Sequence, residues 1–222
     1  MARVLAHTLL EGLFLGAPSL YEGNTSSDFI LMFNSNFKLT EKLQLDFWNY
    51  YVDNIYNTVY VKPSLQLSEK WILNAEWLHQ NRIGDGGNAL DEFRYFAQAS
   101  SDLLGLQLNY QQGKSKLSLG YDHILPGGQF ISPREWGRED LFSFQKRERS
   151  EGSADNHAVV LTYGNAFPII NDKVDVRTIF SVGRQWKPAV TDAENNKYAM
   201  PDYTHINLDL FLNIKGLNNL KP

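Results

Sequence analysis

The chain has 222 residues, a formal charge of −4, 21% charged residues and no cysteine. That length suits one sizeable domain or barrel, the acidic balance leaves no basic footprint for nucleic acid, and the lack of Cys excludes disulfides and thiolate metal sites. No apolar run approaches the roughly 20 residues of a transmembrane helix, so membrane residence requires strands.

Residues 3–14 fit a strand or, nearly as well, a short helix, and residues 15–27 read as a loop rich in Gly, Pro, Ser and Asn. Asp28–Leu39 is predicted as a strand with Phe29, Leu31, Phe33, Phe37 and Leu39 on one face and Asn34, Asn36 and Lys38 on the other. Thr40–Lys42 turns the chain, and Leu43–Val52 returns with Leu45 and Phe47 opposite Gln44 and Asp46. After a short loop, Thr58–Ser68 alternates Val59, Val61, Leu65 and Leu67 with Tyr60, Lys62, Ser64 and Gln66. Pro63 has no N–H for the ladder and is expected to need a bulge or a strained position. Trp71–Gln80 follows, with Trp71, Leu73, Ala75 and Trp77 opposite Asn74, Glu76 and Gln80.

Residues 81–102 form a long connection, within which Leu90–Ala99 fits a short helix or a strand extension. Leu104–Leu125 is the clearest hairpin. Leu104, Leu106, Leu108 and Tyr110 alternate with small or polar residues, Gly113-Lys114-Ser115 turns, and Leu117, Leu119 and Tyr121 alternate with Ser118, Gly120 and Asp122. Residues 126–155 are the longest and most charged connection. His157–Tyr163 is a strand, Gly164–Asp172 a turn, and Lys173–Trp186 a strand with Val174, Val176, Phe180 and Val182 facing away from Asp175, Arg177, Ser181 and Gln185. A loop over 187–202 leads to Tyr203–Ile214, where Ile206, Leu208, Leu210, Leu212 and Ile214 alternate with His205, Asn207, Asp209 and Asn213.

This makes nine strands, or ten with the N-terminal segment. Short turns and longer connections alternate, which is the rim asymmetry of a membrane barrel. A strand of about ten residues is roughly 33 Å long and, tilted, crosses an apolar band of about 25 Å. Trp48, Tyr50, Tyr51, Trp71, Tyr110, Tyr121, Tyr163 and Trp186 fall near strand ends, as an interfacial girdle requires. The competing architecture is a soluble or surface-attached β-sheet ligand-binding protein, which also alternates. Charges and amides in mid-strand on the polar faces favour a water-filled lumen over a closed soluble core. The fold class expected is therefore an all-β antiparallel transmembrane barrel, or barrel portion, occupying residues 1–222 as one domain. Leu106, Leu108, Leu117, Leu119, Leu208, Leu210 and Leu212 then face lipid, while Gln107, Asn109, Ser118, Asn207 and Asp209 face inward.

Three stretches resemble the OprD-type outer-membrane porins. Leu43–Tyr60, LQLDFWNYYVDNIYNTVY, is similar to their aliphatic–aromatic hairpin. His205–Leu217, HINLDLFLNIKGL, resembles their penultimate strand, and the LGYDHI of the central hairpin fits a further strand. The resemblance covers most of residues 28–217. Family barrels have eighteen strands and about twice this length, so it implies that the chain matches a C-terminal half. The interruption of the N-terminal apolar stretch by His7 and Glu11, which argues against a signal peptide, and the non-aromatic end Asn218–Pro222 lead to the expectation that both ends are truncated.

The resemblance implies a passive, substrate-selective channel in the bacterial outer membrane for small water-soluble solutes such as amino acids or carboxylates. Its partners are then membrane lipid and solute, with self-association open and no nucleic acid. Lys62 and Arg177 are the candidate guides for a carboxylate, with Asp46, Glu76, Asp175 and Asp209 on the opposing wall. Arg134, Arg138, Arg147 and Arg149 lie in a connection that folds inward as a constriction or, slightly favoured as is usual for a charge run, stays a solvated surface loop. No enzymatic constellation is legible: His79, His123, His157 and His205 lack a partnered Ser, His7 and Glu11 are half a metal site, and Asp85–Asp91 lacks calcium-loop spacing. No cofactor and no metal are expected.

Overall fold

The computed structural model describes residues 23–132, 141–145, 150–169 and 174–214. Among them are nine strands in one antiparallel sheet. They are β1 (Ile30–Lys38), β2 (Leu43–Val52), β3 (Tyr56–Gln66), β4 (Trp71–Arg82), β5 (Ser100–Gln112), β6 (Ser115–Ile124), β7 (Asn156–Ile169), β8 (Val174–Trp186) and β9 (Tyr203–Ile214). The spatial order is the sequence order, so every neighbour is reached by a hairpin. The described sheet is open, with β1 and β9 as its edges.

The two faces follow the alternation read from the sequence. On the outer face the large apolar side chains are exposed: Leu106 is 55% accessible, Leu208 64% and Leu212 64%. None of the predicted outward leucines is enclosed in a core, as a soluble sandwich would demand, and the band of exposed Leu, Phe and Trp extends across the sheet from β1 to β9. On the inner face, Tyr60, Glu76, Gln80, Leu103, Asp122 and Ser181 are buried. No described helix is long and apolar enough to cross a membrane.

Connections β1–β2, β3–β4 and β5–β6 lie on one rim and are short. In the first, Thr40 Oγ1 accepts the N–H groups of Lys42 and Leu43. In the third, Gly113 takes a left-handed φ of 57°, which Gly adopts without steric cost. The opposite rim carries β2–β3 and the three long connections. These pack on one another: Val52, Ile55 and Tyr56 meet Tyr95, Phe96 and Ile131 in one apolar cluster. Backbone bonds tie Phe130 to Ser153 and Lys197 to Gly152.

Several boundaries differ from expectation. The turn predicted over Gly164–Asp172 is mostly strand: β7 runs on to Ile169, in unbroken register with β8 from His157↔Trp186 to Ile169↔Val174. Asn165 and Pro168 read as breakers, yet the cross-strand ladder overrides local propensity. Pro63 needs no bulge. Val61↔Trp77 and Ser64↔Asn74 share one register, and the β3–β4 ladder simply lapses at Lys62 and Pro63 between them. In the β4–β5 connection only Asp91–Phe93 is helical, a single 3-10 turn, and β5 begins at Ser100 within the predicted connection. Residues 3–14 and Lys215–Leu217 lie outside the described residues.

Candidate pore constriction

The register places a row of ionisable side chains across the inner face. Asp46 on β2 lies directly opposite Lys62 on β3. Further along, Glu76 on β4 pairs with Gly105 on β5, and Gly105 with Asp122 on β6. Period-two alternation puts all of them on one side, and the matched strand lengths bring them level. Asp46 Oδ1 accepts a hydrogen bond from Asn36 Nδ2 of β1. The Lys62 ammonium sits 5.2 Å from the ring centroids of both Tyr60 and Phe142, a cation–π arrangement.

Gly105 is what lets the two acids meet. A Cβ there would overlap Asp122 Oδ1 and lie 2.6 Å from Glu76 Cγ. The carboxylates fill that space and together grip the β6–β7 connection. Glu76 Oε1 accepts the Phe142 backbone N–H at 3.0 Å, and Asp122 Oδ2 accepts that of Ser143 at 2.6 Å. The Tyr60 hydroxyl donates to Glu76 Oε2. Gly120 makes room in the same way, since a Cβ there would stand 2.5 Å from the Phe142 carbonyl oxygen.

The same connection is fastened elsewhere along the inner face. Gln80 uses both ends of its amide on the Ile131 backbone, at 2.8 and 3.0 Å. Gln145 Nε2 donates to Ser181 Oγ and to the His205 carbonyl. Gln185 reaches Ser150 Oγ, and Ser101 Oγ donates to the Gly128 carbonyl. Phe130 and Leu141 complete a cluster with Tyr60, Leu78, Leu103 and Ile124. The described parts of the connection therefore lie against the sheet. Phe130, Ile131, Leu141 and Ser143 are among the residues of the connection that meet the wall. Arg134, Arg138, Arg147 and Arg149 lie outside the described residues.

Below this level, toward the short-turn rim, the inner face is polar and open. Asn74 Nδ2 and Asn109 Nδ2 both donate to Gln107 Oε1. The remaining predicted wall residues sit there too, apart from the first group. Arg177 faces inward but is exposed, opposite Ala166 and Phe211, with its guanidinium 5.3 Å from the Phe211 ring. Asp175 pairs with Asn213 and Asp209 with Ile179. Arg177 thus lies toward the short-turn end of β8, away from the row formed by Asp46, Lys62, Glu76 and Asp122.

Sequence reasoning missed Asp122, Tyr60 and the two backbone N–H groups that complete the site. One signal was available: Gly105 and Gly120 both fall on the polar face of the central hairpin, where missing side chains leave space for something else.

The sequence matches no family model and no curated protein. Among solved structures, the chain is similar to OccK11 (OpdR) of Pseudomonas aeruginosa, with a TM-score of 0.61 at 10% identity, over 88% of this chain and 49% of that one. It is also similar to OccK3 (OpdO) of the same organism, with a TM-score of 0.62 at 16% identity over 83% and 46%. A third, OpdL of P. aeruginosa, gives 0.58 at 14% identity over 83% and 48%. The chain spans about half the length of these structures, and its fold is that of part of an OprD/Occ-type porin barrel.

Proposed function

We propose that this chain forms a wall section of an outer-membrane diffusion channel for small water-soluble solutes such as amino acids or carboxylates. The observation that carries this reading is the pairing of opposite faces: an exposed apolar band outside, and inside a polar wall with a connection strapped across it. Lipid covers the outer band, and solute passes on the side of the strapped connection that faces away from this wall. Lys62 is the described cation at that level and Arg177 the one toward the short-turn end of β8.

Closure of the channel calls for further strands beside β1 and β9. A second copy related by an axis along the pore does not supply them in the same pattern. With nine strands, β1 and β9 run in the same direction, so each seam between copies would be parallel. An odd number of additional antiparallel strands keeps every seam antiparallel and every long connection on one rim.

The test is reversal potential in planar bilayers under a salt gradient. Lys62→Gln should lower anion permeability relative to cation permeability. Arg177→Gln should do the same more weakly, since its exposed position leaves it better screened. A Lys62→Gln channel with an unchanged ratio would remove Lys62 from selectivity.

A further inference from the structure

On the outer face, at the rim of long connections, three metal-ligating side chains converge. His123 near the end of β6 lies directly opposite His157 near the start of β7. Asp155 closes the β6–β7 connection two residues before His157. The ligating atoms of His123, Asp155 and His157 all lie within 4.8 Å of one another. The two imidazoles stack at 3.9 Å with an interplanar angle of 15°. His123 Nε2 stands 3.7 Å from Asp155 Oδ1. That nitrogen is shielded from solvent and has no hydrogen-bond partner, an arrangement that ordinarily costs free energy.

Two details organise the group. Asp155 holds a left-handed φ of 46°, uncommon for a residue with a side chain. The Tyr121 hydroxyl lies 2.7 Å from His157 Nδ1. A tyrosine oxygen that accepts the Nδ1 proton leaves the Nε2 lone pair for coordination, which is the usual orienting role of an outer partner to a metal-binding histidine.

We propose that His123, Asp155 and His157 bind one divalent transition-metal ion, with zinc the best fit. Two imidazoles and one carboxylate are the donor set that borderline ions take, and water completes a tetrahedral shell. Bonds of roughly 2.0–2.1 Å put tetrahedral ligands about 3.3 Å apart. The 4.8 Å span therefore contracts by side-chain rotation, with each ring swinging out of the stack toward the ion. The bound ion joins the last residue of the β6–β7 connection to the two strands that carry it, so it braces the base of the segment that crosses the pore. No ligand comes from the inner face, and the site stands whether or not the channel reading does.

The experiment is titration of tag-free, chelator-treated protein in detergent with zinc chloride, read by calorimetry. One ion per chain is expected. His123→Ala and His157→Ala should each weaken binding by about tenfold or more, while His79→Ala on β4, which borders neither β6 nor β7, leaves it unchanged. Absence of saturable zinc binding, or binding indifferent to both histidine variants, overturns the proposal. Should those variants fail to fold, the cobalt(II) complex of the wild type decides. Visible ligand-field bands of a four- or five-coordinate nitrogen–oxygen site support the proposal, and the spectrum of hexaaqua cobalt alone overturns it.

Discussion

Glu76→Ala combined with Asp122→Ala should free the strapped connection from the wall and raise single-channel conductance severalfold. Each carboxylate holds one backbone N–H of the connection, at Phe142 and Ser143. A hydrogen bond contributes about 0.5–1.5 kcal/mol net, so losing the pair removes on the order of 1–3 kcal/mol from the attachment. The Tyr60 hydroxyl loses its acceptor as well. What remains is the contact of Phe130 and Leu141 with the apolar cluster and the amide clamps of Gln80 and Gln145. The strands themselves keep their ladders, so the folded sheet should persist. Unchanged conductance with unchanged protease resistance of residues 141–145 would show that the carboxylates do not hold the constriction.

Leu106→Arg should destabilise the folded protein in bilayers by about 2–4 kcal/mol, the cost of a cation on a barrel's lipid face at mid-depth. Leu106 lies between Ala75 and Tyr121 on the neighbouring strands and is 55% exposed on the outer face. The adjacent substitution Gln107→Arg points its charge at the polar inner wall, where Asn74 and Asn109 are neighbours, and should cost far less. Urea titration of folding into vesicles measures both. Equal costs for the two positions would argue that neither face meets lipid.

The strands and their facing were legible because period two is a strong signal where one face is uniformly apolar. Leu104–Leu108, Leu117–Tyr121 and Ile206–Ile214 show this most cleanly, and all face outward as expected. Where a strand outlives its apolar pattern, the reading stopped early. Gly164 and Asn165 hid the extension of β7, which is held by its ladder with β8 and not by side-chain alternation. The row Asp46, Lys62 and Glu76 was legible as a set of polar-face charges, but not as a row, because level depends on shear between strands that no single strand encodes. The grip on Phe142 and Ser143 was invisible for a further reason. It uses backbone donors, which every residue carries, so no side chain marks them. The metal-ligating cluster likewise depends on register: His123 and His157 are far apart in sequence and directly opposite in the sheet.

In the proposed channel, alternate residues of one strand meet lipid and water. The chain contains no native cysteine, so single-cysteine variants report without background. Cysteines introduced one at a time at Leu106, Gln107, Leu108 and Asn109 in vesicle-reconstituted protein should alternate in behaviour. Those at 107 and 109 should react quickly with a charged, water-soluble thiol reagent. Those at 106 and 108 should resist it, and a fluorophore attached there should be quenched by a quencher on the lipid acyl chain. Uniform reactivity along the four positions, or fast labelling at 106 and 108 with protection at 107 and 109, would contradict a sheet that turns its leucines to the membrane.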